Sequence, residues 1–259
     1  YNQLNKMTYN NTNAMDTEEE MFTPEVSPQN SPRNSTRTGK PKSANELIMK
    51  TIRELTKHNI VCIPLGAKKA PIQRGWQSFT KTPLDAFDKK TTCYGIVAGK
   101  NSGITILDID VKDEKDNKYW NAIVAQFDED GLFAEDNMTL PRQKTPSGGM
   151  HYYFAYVEGV KTKKNCIKIK SDGRIIEAGI DIRNDGGQAV GPNSVYSADK
   201  KEKEKYNGKL YTAEVGFDDV EWEIPEMPEW LIELLQHIIL KCNLTEPLSS
   251  TTKSYTKKK

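Results

Sequence analysis

Ile104-Thr105-Ile106-Leu107-Asp108-Ile109-Asp110-Val111 is the stretch around which the chain is organised. An apolar, β-branched run of this length predicts a buried strand. Two carboxylates, one residue apart, stand at its end. Side chains alternate across a strand, so Asp108 and Asp110 face the same way, roughly 7 Å apart at Cα. Like charges that close on a half-buried edge repel and are costly to desolvate. A divalent cation offsets that cost, and hard cations such as Mg²⁺ take carboxylate oxygen. The plain alternative is a strand running out into solvent with two ordinary acidic residues at its mouth.

The 259 residues suffice for one large domain or two small ones. With 36% hydrophobic and 28% charged residues, the composition suits a globular domain carrying polar extensions. Net charge is only +1, so any nucleic-acid surface must be a local patch. Cys62, Cys93, Cys166 and Cys242 are scattered, with no Cys-x-x-Cys and no nearby histidine pair, which argues against a structural zinc site. Such cysteines in a lysine-rich chain fit a reducing, intracellular compartment. No apolar run is long enough to span a bilayer, and no signal-peptide core is present. A start without methionine and a stop in lysines are what a fragment would show.

Residues 1–42 are rich in Asn, Thr, Ser and Pro and are expected to be disordered. Ser43-Ala44-Asn45-Glu46 is a capping box, and Leu47, Ile48, Ile52 and Leu55 follow at helical spacing. Ile60-Val61-Cys62-Ile63-Pro64-Leu65 predicts a strand. The loop after it carries Lys68, Lys69, Arg74 and Trp76, the tryptophan expected to be exposed, a mixture suited either to phosphate and base contact or to a solvated loop anchored by one tryptophan. Thr82-Pro83 predicts a short helix running to about Lys89. Gly95 and Gly99 enclose three residues, and Asn101 follows Lys100, so this is not a Walker A loop. Tyr119, Trp120, Ile123, Val124 and Phe127 form the apolar face of a helix that ends before Gly131.

Two further stretches carry chemistry. Lys144-Thr145-Pro146-Ser147-Gly148-Gly149-Met150-His151 predicts a turn feeding a strand. Ser147, Gly148 and Gly149 offer a hydroxyl and open backbone N–H groups to phosphate oxygens, and a protonated His151 would strengthen the contact. A lone histidine at a strand end is otherwise structural. His58 and His237 sit on predicted helices without such company. In Gly179-Ile180-Asp181-Ile182-Arg183-Asn184-Asp185-Gly186, Asp181 lies between two isoleucines and faces the side opposite them. If that side bears Asp108 and Asp110, three carboxylates meet. Asp185-Gly186 is a hairpin signal. Between these stretches Lys161, Lys163, Lys164, Lys168, Lys170 and Arg174 form either a track for a nucleic-acid backbone or a solvated hairpin. Residues 200–209 predict a solvated loop. Pro228 and Glu229 open an amphipathic closing helix through Ile239. Residues 43–247 are expected to be the catalytic domain and 248–259 a linker.

These pieces, in this order, resemble the bifunctional DNA primase/polymerase N-terminal domain of the archaeo-eukaryotic primase superfamily. The likeness runs from about Ile60 to Leu235. It rests on Ile63-Pro64-Leu65, Lys69-Ala70-Pro71, Gly75-Trp76, Gly95-Ile96-Val97-Ala98-Gly99, Ser102-Gly103, Asp108-Ile109-Asp110, Thr145 to His151, Gly179 to Arg183 and the Pro-Glu-Trp-Leu helix. Gly191-Pro192-Asn193-Ser194 departs from relatives that carry a second proline before the serine. The resemblance implies an α+β fold, with an RRM-like antiparallel sheet packed on a small α/β unit. It implies Asp108, Asp110 and Asp181 as catalytic metal ligands for Mg²⁺ or Mn²⁺, and Ser147, Gly148, Gly149 and His151 as the nucleotide seat. The activity implied is template-directed nucleotidyl transfer, priming or extending, by two-metal catalysis.

Nucleoside triphosphates and single-stranded DNA template and primer would be the partners, with Lys68, Lys69, Arg74, Lys163 and Lys164 guiding the nucleic acid. Relatives often continue into a superfamily 3 helicase domain and are common in viruses and plasmids. Two other classes compete. A HAD-type phosphatase also opens with Asp-x-Asp, but Lys112 breaks its motif, and phosphorylation of Asp108 would mark it. A non-catalytic single-strand-binding module would show no metal-dependent incorporation.

Overall fold

The computed structural model describes residues 43–111, 117–171, 174–198 and 201–236. The expected N-terminal extension, the linker 248–259, His237 and the last turn of the closing helix lie outside them. The Ser43 hydroxyl accepts from the Glu46 N–H at 3.2 Å and Glu46 accepts from the Ser43 N–H at 3.1 Å, the expected capping box. It opens α1 (Ala44–Lys57), which buries Ile48, Ile52 and Leu55. Each such side chain contributes roughly 2 kcal/mol of burial.

Two antiparallel sheets follow. One joins β1 (Cys62–Pro64), β2 (Tyr94–Val97) and β9 (Gln188–Val190) in that order. The other contains β3 (Ile104–Ile109), β4 (Arg142–Lys144), β5 (Met150–Ala155), β8 (Ile180–Arg183) and β10 (Thr212–Val215), in the order β10-β4-β5-β3-β8. Helix α2 (Lys118–Phe127) connects β3 to β4. A separate hairpin, β6 (Lys168–Ser171) and β7 (Arg174–Glu177), precedes β8. Helix α3 (Glu229–Gln236) closes the described chain. The architecture is a mixed α+β fold with antiparallel sheets.

The central strand β3 is covered on both faces. Leu107 and Ile109 join Tyr152, Phe154, Ile180 and Ile182 in a core closed by Trp120 and Ile123 of α2 and Leu231 of α3. Ile104 and Ile106 point the other way, into a core with α1, Tyr94, Ile96 and Tyr153. Asp108 is next on that second face. The aliphatic run is therefore continuous because both sides are buried, and it turns acidic where the second cover ends.

Three expectations are corrected. The helix after Pro83 is a single turn, Leu84–Ala86, because Phe87 turns extended and inserts into the core. Asp185-Gly186 makes a turn but no hairpin: β8 and β9 belong to different sheets, and the turn is held by Asp185 Oδ1 accepting from Lys100 N–H at 2.9 Å and by Asn184 donating to the Val157 and Val160 carbonyls. Trp76 is half-buried against the β1-β2-β9 core instead of exposed. His58 caps the C-terminus of α1 and stacks on Trp222 at 3.6 Å.

Gly149 fixes the turn between β4 and β5 against β3. A Cβ there would collide with the Ile109 carbonyl oxygen, which is backbone and has no room to yield. Gly149→Ala is expected to destabilise the domain by about 2 kcal/mol. Urea unfolding of the variant beside the parent checks it, and an unchanged midpoint would remove the close-approach explanation.

Candidate active site

The ladder registers place four polar residues in one row across the larger sheet. Asp108 pairs with Asp181 on one side and with His151 on the other. His151 in turn pairs with Gln143. Directly opposed residues share a face, so Asp181, Asp108, His151 and Gln143 line the same side of the sheet. Asp110 follows just beyond β3, its N–H bonded to the Gly179 carbonyl at 2.8 Å and its own carbonyl accepting from Asn117 at 2.8 Å. Asp108 and His151 of this row, with Asp110, line a cleft of about 290 Å³ walled by the other sheet and by later loops; Asp181 and Gln143 flank them without lining it.

Arg183 is two residues from Asp181 and so shares its face. One of its terminal nitrogens donates to Asp108 Oδ2 at 3.0 Å and to Asp181 Oδ2 at 2.6 Å. Asp181 Oδ1 accepts from the Asn165 N–H at 2.7 Å, so both its oxygens are engaged. Among the described residues, no three His, Cys, Asp or Glu side chains converge closely enough to enclose an ion. The guanidinium between Asp108 and Asp181 is the physical reason. Their burial still carries an electrostatic cost. Burial, then the Asp108 and Asp181 charges, push the Asp110 carboxyl up to about 6, although the residue as a whole is open to solvent. Burial also raises Asp181, against the lowering effect of Asn165 and Arg183. Carboxylate oxygens are hard donors, and the raising of Asp110 by its two neighbours and of Asp181 by Asp108 is a repulsion that a divalent cation such as Mg²⁺ or Mn²⁺ would relieve.

His151 is 4% exposed, its Nε2 3.5 Å from Asp108 Oδ1. Burial, with Arg183 and Lys69 adding, pushes its pKa below the ordinary histidine range. Burial thus works against the protonation that would strengthen a phosphate contact. Ser147 lines the cleft, its hydroxyl 3.2 Å from that of Thr145. Gly148 and Gly149 line a different hollow, of about 180 Å³, against Trp120 and Tyr152. The Gly148 N–H is spent inside the turn on the Thr145 carbonyl at 2.9 Å. A larger hollow of about 430 Å³ beside α1 contains none of Asp108, Asp110 and Asp181.

Of the cations singled out in the sequence, Lys69 and Lys164 reach the cleft, while Lys68, Arg74 and Lys163 are exposed elsewhere. Lys69 Nζ sits 4.5 Å above the Tyr196 ring and 3.5 Å from the Tyr211 hydroxyl. It is presented by two consecutive lysines at positive φ, 61° and 58°. Left-handed backbone at such residues costs on the order of 1 kcal/mol each. Sequence reasoning missed Gln143, Arg183, Tyr196, Lys203 and Tyr211. The i, i+2 spacing from Asp181 would have found Arg183. Lys203 belongs to the segment expected to be a plain solvated loop, yet it lines the cleft.

Asp108 and Asp110 thus share the cleft with four cations, Lys69, Lys164, Arg183 and Lys203. The chain belongs to the bifunctional DNA primase/polymerase N-terminal family, whose sequence model matches residues 52–230. Membership makes it a primase/polymerase-type, nucleotidyltransferase-class domain of a family generally dependent on a divalent metal. Comparison with curated protein sequences finds no match. Among the described residues, no helix is long and apolar enough to cross a membrane.

Arg183→Gln is expected to leave the Asp108 and Asp181 carboxylates uncompensated and to cost roughly 2 kcal/mol of stability. Denaturant unfolding near neutral pH reads this, and a variant as stable as the parent would show the bridge to be incidental.

Proposed function

We propose that this domain catalyses template-directed nucleotidyl transfer from nucleoside triphosphates to a primer strand, in replication of a virus or mobile element. The observation that carries the reading is the in-register row Asp181–Asp108–His151, whose Asp108 and His151 line a cleft with four cations. The strand order adds support. In β8-β3-β5-β4, with α2 between β3 and β4, the sheet has the order and the first crossover of an RRM-like fold, and β6–β7 stands where a second helix would be. The family match supports the chemical class.

Asp108, Asp110 and Asp181 would hold the Mg²⁺ or Mn²⁺ ions. The chemistry those ions supply when bound is acidification of the primer 3′-hydroxyl and neutralisation of the leaving pyrophosphate. The chain's own residues seat and orient the triphosphate. His151 donates to a phosphate oxygen from the cleft floor, and the Ser147 hydroxyl donates beside it. Lys69, Lys164, Arg183 and Lys203 outnumber the lining carboxylates Asp108 and Asp110, so the cleft attracts a polyanion before any contact forms. Lys68, Arg74 and Lys163, exposed outside the cleft, contact the backbone of template or primer.

Asp108→Asn retains an acceptor for Arg183 and removes the charge. Loss of several kcal/mol of charge stabilisation should lower incorporation by about a thousandfold while the fold persists. The check is primer extension with labelled nucleotides and Mg²⁺ or Mn²⁺, with circular dichroism as the folding control. Extension by the variant at the parental rate would overturn the proposal.

A further inference from the structure

Gln143 closes the polar row and is 1% exposed. Its side-chain nitrogen lies 2.6 Å from the Val190 carbonyl oxygen and 2.7 Å from His151 Nδ1. A backbone carbonyl only accepts, so the amide end facing Val190 must be the NH₂ group. Turning the amide over would set two oxygens against each other at 2.6 Å; it would let Nδ1–H donate to the amide oxygen, so the Val190 contact is what fixes the amide. An amide NH₂ has two hydrogens and no acceptor lone pair. With one hydrogen on Val190, the other points at His151 Nδ1, which must accept it. A neutral imidazole has one N–H, so here it lies on Nε2, the atom turned toward Asp108 and the cleft. Val190 is on β9, in the smaller sheet, so the same amide also ties the two sheets together at the cleft.

We infer that Gln143 is a positioning residue: by donating to Nδ1 it holds His151 in the Nε2–H tautomer, so that a donor faces an incoming phosphate. The inference rests on the proposed role of His151 as a phosphate donor for its functional meaning, but the tautomer itself needs no ligand. In the other tautomer a lone pair would face the cleft, and the contact with a phosphate oxygen would turn from attraction to repulsion. Burial alone does not choose between the two neutral forms; the Val190 carbonyl lies within reach of both the ring and the Gln143 amide, and its 2.6 Å contact with the amide assigns it to Gln143.

The test begins with the unaltered chain, ¹⁵N-labelled, at a pH where His151 is neutral. Its ring resonances should show a pyridine-type Nδ1 and a pyrrole-type Nε2. The reverse pattern would overturn the inference whatever the fate of any variant. Gln143→Glu replaces the donor by an acceptor of the same shape and should reverse the two resonances. Gln143→Leu should weaken binding of inorganic triphosphate with Mg²⁺ by about tenfold in calorimetry, the scale of one charge-assisted hydrogen bond. Made on a His151→Ala background, Gln143→Leu should have little further effect, since its action passes through the ring. Additive losses in that cycle, or an unchanged tautomer in Gln143→Glu, would reduce Gln143 to a structural tie between sheets. Because the tautomer is read without nucleotide, this inference fails separately from the nucleotidyl-transfer reading.

Discussion

The structure depends on how one strand leaves its cover. Along β3, Ile104, Thr105, Ile106 and Leu107 are fully enclosed, and their enclosure requires two independent layers, one on each face. The layer over the even-numbered face is α1 with the smaller sheet. It stops short of Asp108, and the gap between the two sheets becomes the cleft. A charged residue at that point can be half-buried without being sealed, which is the condition a catalytic carboxylate needs.

Concentrating carboxylates there has a cost that the surrounding residues visibly offset. Arg183 spans Asp108 and Asp181, the Asn165 N–H serves the second oxygen of Asp181, and burial lowers the proton affinity of the histidine beside them. Lys69 enters from the smaller sheet's own loop, through left-handed backbone, onto Tyr196 and Tyr211. The cleft is thus shared between the two halves of the fold. Asp108, His151 and Arg183 come from one sheet, and Lys69, Lys164 and Lys203 come from loops. Electrostatic balance and geometry are supplied by different parts of the chain.

Much of this was legible before any coordinates. The capping box at Ser43, the apolar face of α2, the turn at Ser147 to Gly149 and the β3 run each have a local signature that the structure repeats. Local signals failed where a neighbour overrode them. Pro83 starts a helical turn, but Phe87 has a core position to fill and ends it. Asp185-Gly186 makes its turn, but the strands on either side find partners in different sheets. Gly148 and Gly149 have the composition of a phosphate loop, yet one N–H is used within the turn and both glycines face another hollow.

By itself, the sequence determined which residues lie on which face of each strand, because that follows from a period of two along the backbone. It thereby set Asp108 with Asp110 on one face of their stretch and Asp181 with Arg183 on one face of theirs, and left open whether the two faces coincide. The tertiary structure alone decided the register that sets Asp181, Asp108, His151 and Gln143 in one row, and the approach of Val190, Tyr196, Lys203 and Tyr211 from distant segments. Register and sheet-to-sheet approach come from summed packing over many residues, none of which carries the information locally.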